Sequence, residues 1–354
     1  MEILPSASDN EDEGKLIEIT RDVVKLEDAA AKKKEIEIKR ASRNYNIGVI
    51  ELPTFYMDFE AYNKNRFDYK SSSRDVKKML RELDAANIDG LILDLRGNGG
   101  GFLFEAYSLA KLFIGRGNVV QVMEANGTLQ SLGHNLGQQN YDGPIVILVD
   151  KLSASASEIL AGVIQDYDRG LVIGSQTFGK GTVQRMIELS HGHLKFTEQK
   201  YYRVSGESTQ NKGVEPDITI PLVFNDEEIG ERSYENSLPY NHIDPIFYRS
   251  FNKVENVDLL KTISSNRTNS NEMSIYISSQ QDFYENEKNN NVVPINVEKR
   301  KSMKFAREAK ILLMENTFRK SLNLDPFVTY DEFVNSDPEE ISELREEIVL
   351  QEAA

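Results

Sequence analysis

Three local patterns hold residue types that could do chemistry. In LILDLRGNGGGF, residues 91–102, an apolar run breaks into Arg96-Gly97-Asn98-Gly99-Gly100-Gly101, with four glycines in five positions. Such backbone takes positive φ readily, and the helix-like stretch after it leaves its first amides free. That suits an oxyanion hole or an anion cradle. In PIVILVDKLSASASEILAG, residues 144–162, Ser153, Ser155 and Ser157 alternate with alanines ahead of an apolar-periodic run. One serine would be enough to cap a helix. Three among small residues put a hydroxyl where the helix dipole favours negative charge, as a nucleophile and its oxyanion require. The context is not the GxSxG elbow of many hydrolases. In LVIGSQTFGKGTVQRMIEL, residues 171–189, Lys180 lies between two glycines, on backbone able to pass close to a neighbour.

A serine hydroxyl needs a base. The chain has no cysteine and four histidines, so lysine is the leading candidate, and a serine–lysine pair is a known variant of the catalytic triad. Bringing a lysine from about 10.4 to about 7 corresponds to about 4.6 kcal/mol, within reach of burial. Asp166 and Gln184 are placed to orient the pair by hydrogen bonds, although Asp166 reads equally well as a surface residue beside Tyr167 and Asp168.

Other chemistries fit less well. Gly174 to Lys180 spells GxxxxGK, but Gly181 stands where a phosphate loop needs Ser or Thr, and a strand-like run follows instead of a helix. A dinucleotide fingerprint fails at Phe102. His191 and His193 flank a glycine in a hairpin-like SHGH, His134 sits in a polar stretch, and His242 lies beside prolines. Without cysteine there is no thiolate zinc site and no disulfide. No run reaches the roughly 18–20 apolar residues of a membrane helix. The net charge of −15 argues against nucleic acid as partner. That charge is uneven: residues 45–220 hold 21 acids and 18 bases, whereas residues 327–354 hold nine acids and one base.

These candidates need a frame to hold them. YNIGVIEL, GLILDL, NVVQVM, PIVILVD, LVIG and ITIPL, bounded by Gly, Asp and Asn, read as strands buried on both faces. SSSRDVKKMLREL, with Val76, Met79, Leu80 and Leu83 on one face, FLFEAYSLAKLFIG and SEILAGVIQDY read as helices between them. The expectation is an α/β core over residues 45–222. Residues 1–44 read as a short β-like piece and a charged connector, LEDAAAKKKEIEIKR. Beyond residue 222, the Asn- and Ser-rich stretch 264–297 reads as loop or linker. KSMKFAREAKILLMENTFRKSL reads as a helix with an apolar face through Met303, Ala306, Ile311, Leu312 and Leu313. The acidic end reads as a solvated surface helix or a frayed tail.

DLRGNGGG, VDKLSASASE, QDYDRGLVIGSQTFGKGTVQ and YYRVSGESTQNKGVEPDI resemble, in order and spacing, the tail-specific protease family of C-terminal processing serine peptidases. NSLPYNHIDPIFY and the helical end resemble the C-terminal region of its tail-specific branch. The resemblance implies a ClpP/crotonase-like α/β serine protease core with a mainly helical C-terminal region. It implies that Ser155 is the nucleophile, Lys180 the general base, Gln184 the residue orienting the lysine, and Asp166 an aspartate of the active site. The oxyanion donors it implies are the backbone N–H of Ala156 and of Gly100 or Gly101. It implies cleavage of protein chains recognised by their exposed C-termini, in the periplasm, with no metal, nucleotide, nucleic acid or cofactor, and it leaves any adaptor protein unidentified. MEILPSASDNEDEGKLIEIT resembles only the last strands of the PDZ domain of that family. The first residues, MEILPSASDNEDEG, lack the basic and apolar regions of a signal peptide, and the chain is expected to be the latter part of a larger protein, with a PDZ remnant and linker at 1–44, the catalytic core at 45–222 and a partly helical region at 223–354.

Two readings from other classes use the same features. A peptide-binding scaffold without catalysis would bind but never acylate, and the intact Ser155, Lys180 and Gln184 speak against it. An acyl-CoA-handling enzyme shares the glycine-loop architecture but has no use for a serine–lysine pair.

Overall fold

Apolar runs bounded by glycine and aspartate assemble into one six-stranded sheet in the protein, a computed structural model of which describes residues 2–3, 15–18, 29–40, 43–133, 137–220, 229–252, 254–268, 271–289, 292–336, 346 and 348–354. In chain order the elements begin with β1 (Glu2–Ile3), β2 (Lys15–Leu16), β3 (Lys32–Arg40) and β4 (Arg43–Glu51). Next come α1 (Phe59–Asn63), α2 (Ser72–Ala85), β5 (Gly90–Asp94), α3 (Leu103–Ile114), β6 (Val120–Glu124) and β7 (Leu129–Leu132). They continue with β8 (Ile145–Val149), α4 (Ala156–Asp166), β9 (Leu171–Gly174), β10 (Thr182–Glu188), β11 (His193–Tyr202) and β12 (Ile218–Thr219). The C-terminal region holds α5 (Val257–Thr268), α6 (Glu272–Asn289), α7 (Val297–Ser321) and α8 (Tyr330–Asn335).

The main sheet has the order β12-β9-β8-β5-β4-β3, parallel except for the edge strand β3. Beside it stands an antiparallel sheet, β10-β11-β6-β7. The expected α/β class is found: the runs read as strands form β4, β5, β6, β8, β9 and β12, and the runs read as helices form α2, α3 and α4. One run, NVVQVM, goes to the second sheet as β6, because an antiparallel partner, β11, claims its edge.

The apolar runs are continuous because both faces of the sheet are covered. Leu91, Leu93, Ile145, Ile147, Val149 and Val172 point to one side, where α2, α3 and α4 pack. Val49, Ile92, Leu148 and Ile173 point to the other, onto Tyr276, Ile277, Phe318, Val349, Leu350 and Ala353. The second layer is thus the C-terminal region.

Three expectations change here. The stretch 264–297 folds largely as the end of α5 and all of α6, which the Asn and Ser content concealed. The last residues are not a solvated tail: Val349, Leu350 and Ala353 are buried, and Glu352 pairs with Arg267 at 2.8 Å. The helix α7 buries Phe318 and Glu315, while Met303 and Leu313 of its expected apolar face are exposed. At the other end of the chain, the charged connector contains β3, an edge strand whose alternation buries Ile38 and leaves its lysines in water, as edge strands commonly do. Of the stretch 1–20, which carries the PDZ part of the reading of 1–44 as remnant and linker, only residues 2–3 and 15–18 are described, and β1 pairs there with β2.

Tyr276 stacks on Phe318 at 4.5 Å and gives its hydroxyl proton to buried Glu315 at 2.6 Å. Phe318→Ala should therefore lower the free energy of unfolding by about 3–4 kcal/mol, measured by urea denaturation followed by circular dichroism. A loss under about 1 kcal/mol would show that these helices do not seal the sheet.

Candidate active site

The site lies at the carboxyl ends of the parallel strands, where loops and helix N-termini converge. Asp150 follows β8, and its Oδ1 accepts the N–H groups of Gly97, Leu152 and Ser153 at 2.9–3.0 Å. This joins the glycine loop after β5 to the serine loop before α4. The three serines then separate by environment. Ser153 is fully buried and donates to the Leu95 carbonyl at 2.8 Å. Ser157 is fully buried and donates to the Asn98 carbonyl at 2.9 Å. Both hydroxyls hold the glycine loop in place. Ser155 alone is partly open, at the N-cap of α4, with φ +57° and ψ −108°. Positive φ on a non-glycine residue costs of order 1–3 kcal/mol and clusters at functional positions.

Gly100 is what lets the two loops touch. Its φ is +102°, and a Cβ there would come within 2.9 Å of Ser155 Cβ and of the Ala154 carbonyl. Its own N–H is taken by Asn98 Oδ1 at 2.9 Å. The amides of Gly101 and Ala156, by contrast, have no hydrogen-bond partner among the described residues.

Ser155, Ala156, Gly99, Gly101, Lys180 and Gln184 all line one cavity of about 290 Å³. Lys180 Nζ reaches Gln184 Oε1 at 3.2 Å. No hydrogen bond among the described residues joins Nζ to the Ser155 hydroxyl; the two groups face the same cavity, with the amine turned to Gln184. The β10–β11 pairing is bulged where Val183 and Gln184 oppose Gln199 and Thr197, with Glu198 the extra residue on β11, and Val183 and Gln184 both line the cavity. Burial lowers the pKa of Lys180, and the positive charge of Lys195 lowers it further. Lys195 and Tyr201, on either side of that bulge in β11, line the same cavity.

Asp166 is elsewhere. It ends α4, eleven residues from Ser155 and so about 16 Å along the helix. There it pairs with Arg203 at 2.5 Å and accepts from Ser205 at 3.3 Å, with burial pushing its pKa up against the pull of Arg203. No hydrogen bond among the described residues joins Asp166 to Ser155, Lys180 or Gln184; Asp166 ties the far end of α4 to the end of β11.

Residues that the sequence reading did not single out do the holding. Glu158, fully buried one turn into α4, accepts the N–H of Ser155 at 2.7 Å, of Lys180 at 2.9 Å and of Gly179 at 2.8 Å, and the Thr177 hydroxyl at 2.7 Å. Burial pushes its pKa up to about 7 in spite of these four donors. Tyr201, also buried, gives its hydroxyl proton to the carbonyl of Lys180 and lies 3.1 Å from that of Ser155, while accepting from Thr209 at 2.9 Å. The signal for Glu158 was its place three residues after Ser155, the capping-box position. Lys195 and Tyr201 carried no local signal.

The remaining histidines play no part here: His191, His193 and His242 are exposed, and His134 lies outside the described residues. Among the described residues no group of three His, Cys, Asp or Glu is arranged to hold a metal.

Residues 46–220 match the model of peptidase family S41, and residues 224–354 match that of the C-terminal domain of tail specific protease. The tail-specific protease of Haemophilus influenzae is 39% identical over 253 residues, 69% of this chain and 34% of that protein. The carboxy-terminal-processing protease of Bartonella bacilliformis is 34% identical over 206 residues, 58% of this chain and 43% of that protein. This chain thus spans less than half the length of either relative. A solved photosystem II D1 C-terminal processing protease aligns over 58% of this chain and 50% of its own, with 26% identity and a TM-score of 0.44.

Glu158→Gln keeps shape but turns an amide NH2 toward donors. Labelling of Ser155 by a fluorophosphonate should slow about 100-fold, the cost of about 3 kcal/mol of charged hydrogen bonding. Because the folded state raises the Glu158 pKa from 4.5 to about 7, the native protein holds this proton more tightly than the unfolded one. Its contribution to stability is therefore present at low pH and fades as pH rises through about 7. Over that range the parent should lose stability relative to Glu158→Gln in thermal melts, and a constant difference would rule out this titration.

Proposed function

Residues 46–220 belong to peptidase family S41 and residues 224–354 to the C-terminal domain of tail-specific proteases, and we propose that the chain carries the catalytic part of a serine endopeptidase acting through Ser155 and Lys180. The observation that carries this reading is the cavity itself. It gathers a strained, open serine, a half-buried lysine with a lowered pKa, and free amides at a helix N-terminus.

In the proposed reaction, neutral Lys180 takes the proton from Ser155 Oγ as that oxygen attacks the scissile carbonyl carbon. The carbonyl oxygen becomes an oxyanion, received by the amides of Ala156 and Gly101. Collapse breaks the C–N bond, and the Lys180 ammonium gives its proton to the leaving amine. Water, deprotonated by Lys180, then attacks the acyl-enzyme and releases the new C-terminus and the serine. Gln184 holds the amine through Oε1, in keeping with the orienting role that the resemblance implies. Asp166 enters as a positioning residue for α4 through Arg203.

Recognition of substrates by their exposed C-termini, and action in the periplasm, extend this reading from the resemblance and from the names of the relatives. The scaffold and acyl-CoA readings gain no support: nothing in the scaffold reading requires a desolvated lysine, and the family matches are to peptidases.

Ser155→Ala and Lys180→Ala should each reduce cleavage of an unstructured protein ending in apolar residues by at least about 10³-fold, with melting curves unchanged. Activity should rise with pH along a limb set by Lys180, below the ordinary lysine value of 10.5. Lys195→Gln removes a like charge, so that limb should move to higher pH. Near-normal turnover by Lys180→Ala, measured by gel and mass spectrometry, would sink the mechanism.

A further inference from the structure

A second cavity, of about 650 Å³, adjoins the first and shares Gly99, Lys180 and Gln184 with it. Any chain lying across Ser155 must put the side chain of a residue beside the scissile bond into one of these two spaces. The second differs in chemistry. Leu152, Phe178 and Tyr234 give it apolar and aromatic walls, the two rings 6.4 Å apart at 46°. Glu231 and Glu235 line the same cavity, Glu235 next to Tyr234 in the chain.

The placement of Glu231 is built. Its N–H donates to the Phe178 carbonyl at 3.0 Å, and its Oε1 accepts from the fully buried Gln210 side chain at 3.3 Å. Neither Glu231 nor Glu235 forms an ion pair among the described residues. Among the described residues that line the cavity the cation is Lys180, which must be neutral to act as base. In the proposed reactive state the described lining of the cavity therefore offers two carboxylates beside aromatic walls.

Resting on the peptidase reading above, we propose that this cavity is a specificity subsite for a cationic side chain, lysine or arginine, next to the scissile bond of the substrate. The aromatic and leucine walls cover the methylene stem, and the carboxylates meet the charged head. A glutamate in the same place would face like charges, and an aliphatic residue would strip water from carboxylates without replacing it. The charge of Glu231 favours protonated Lys180, so a substrate cation beside Glu231 also offsets that influence and frees the base. Selectivity and activation then come from the same contact.

The test uses internally quenched peptides that differ at the residues flanking one cleavable bond, carrying Lys, Arg, norleucine or Glu, with sites mapped by mass spectrometry. The parent chain should prefer Lys or Arg over norleucine by about tenfold in kcat/KM at one flanking position, and over Glu by more. Glu231→Gln with Glu235→Gln should bring the Lys-to-norleucine ratio near one. Glu235→Lys should reverse the order of Lys and Glu peptides. A parent without basic preference, or a preference that survives the double substitution, overturns the proposal. The same peptides, labelled for anisotropy, are titrated against Ser155→Ala, where the Lys peptide should bind more tightly than norleucine. Equal affinities overturn the subsite whether or not the parent turns over. Discrimination in binding without any cleavage by the parent would overturn the peptidase reading and leave the subsite standing.

Discussion

A single buried carboxylate, that of Glu158, ties together the main chains of the two residues on which the proposed chemistry depends. Ser155 and Lys180 come from separate loops, 25 residues apart. Glu158 takes the backbone N–H of both, and the Tyr201 hydroxyl faces the backbone carbonyl of both. The pair is thus clamped by its main chain on both sides, which leaves the Ser155 hydroxyl and the Lys180 amine free to move protons. Burying a carboxylate is costly, and four donors offset that cost only while both loops are in place. Whatever displaces either loop therefore disturbs the other.

The frame around this clamp is a sheet sealed on both faces. Helices α2, α3 and α4 close one side, and the C-terminal region closes the other with Tyr276, Phe318 and Leu350. The segment 229–252 joins the two halves by bonding to the catalytic core at several points, among them Ile246 to Val204 and Phe251 to Tyr167. It also brings Glu231 and Tyr234 beside Lys180. The C-terminal region is therefore part of the structure of the core and part of the wall of its site.

The electrostatics of Lys180 show how opposing influences are balanced. Burial and Lys195 favour the free amine, while Glu231 and Glu158 favour the ammonium. Burial is the largest influence, and its direction is the one that the proposed role of Lys180 as base requires. Such a balance responds to what fills the neighbouring cavity.

Much of this was legible in the residues. The apolar runs announced strands buried on two faces, and the glycine loop, the serine run and the glycine-flanked lysine announced the chemistry, because backbone freedom and helix starts leave local marks. The sequence pattern did not say which helices would cover the second face, since α6 is polar enough to read as linker and α7 packs through Phe318 and not through the apolar face read for it. Nor did it separate Ser155 from Ser153 and Ser157 without the family resemblance, since all three share the same neighbours. That choice is physical: two hydroxyls are consumed by the carbonyls of Leu95 and Asn98, and the third is left open by a positive φ. Asp166 was drawn toward the site by its nearness in sequence, yet a straight helix carries it to the opposite end. By itself the sequence determined the element types, the loops able to bind an oxyanion and the residue types able to act as nucleophile and base. Only the tertiary structure decided that Glu158, Tyr201 and Lys195 serve them, because those contacts join residues from different elements, and local sequence holds no record of which side chains will meet.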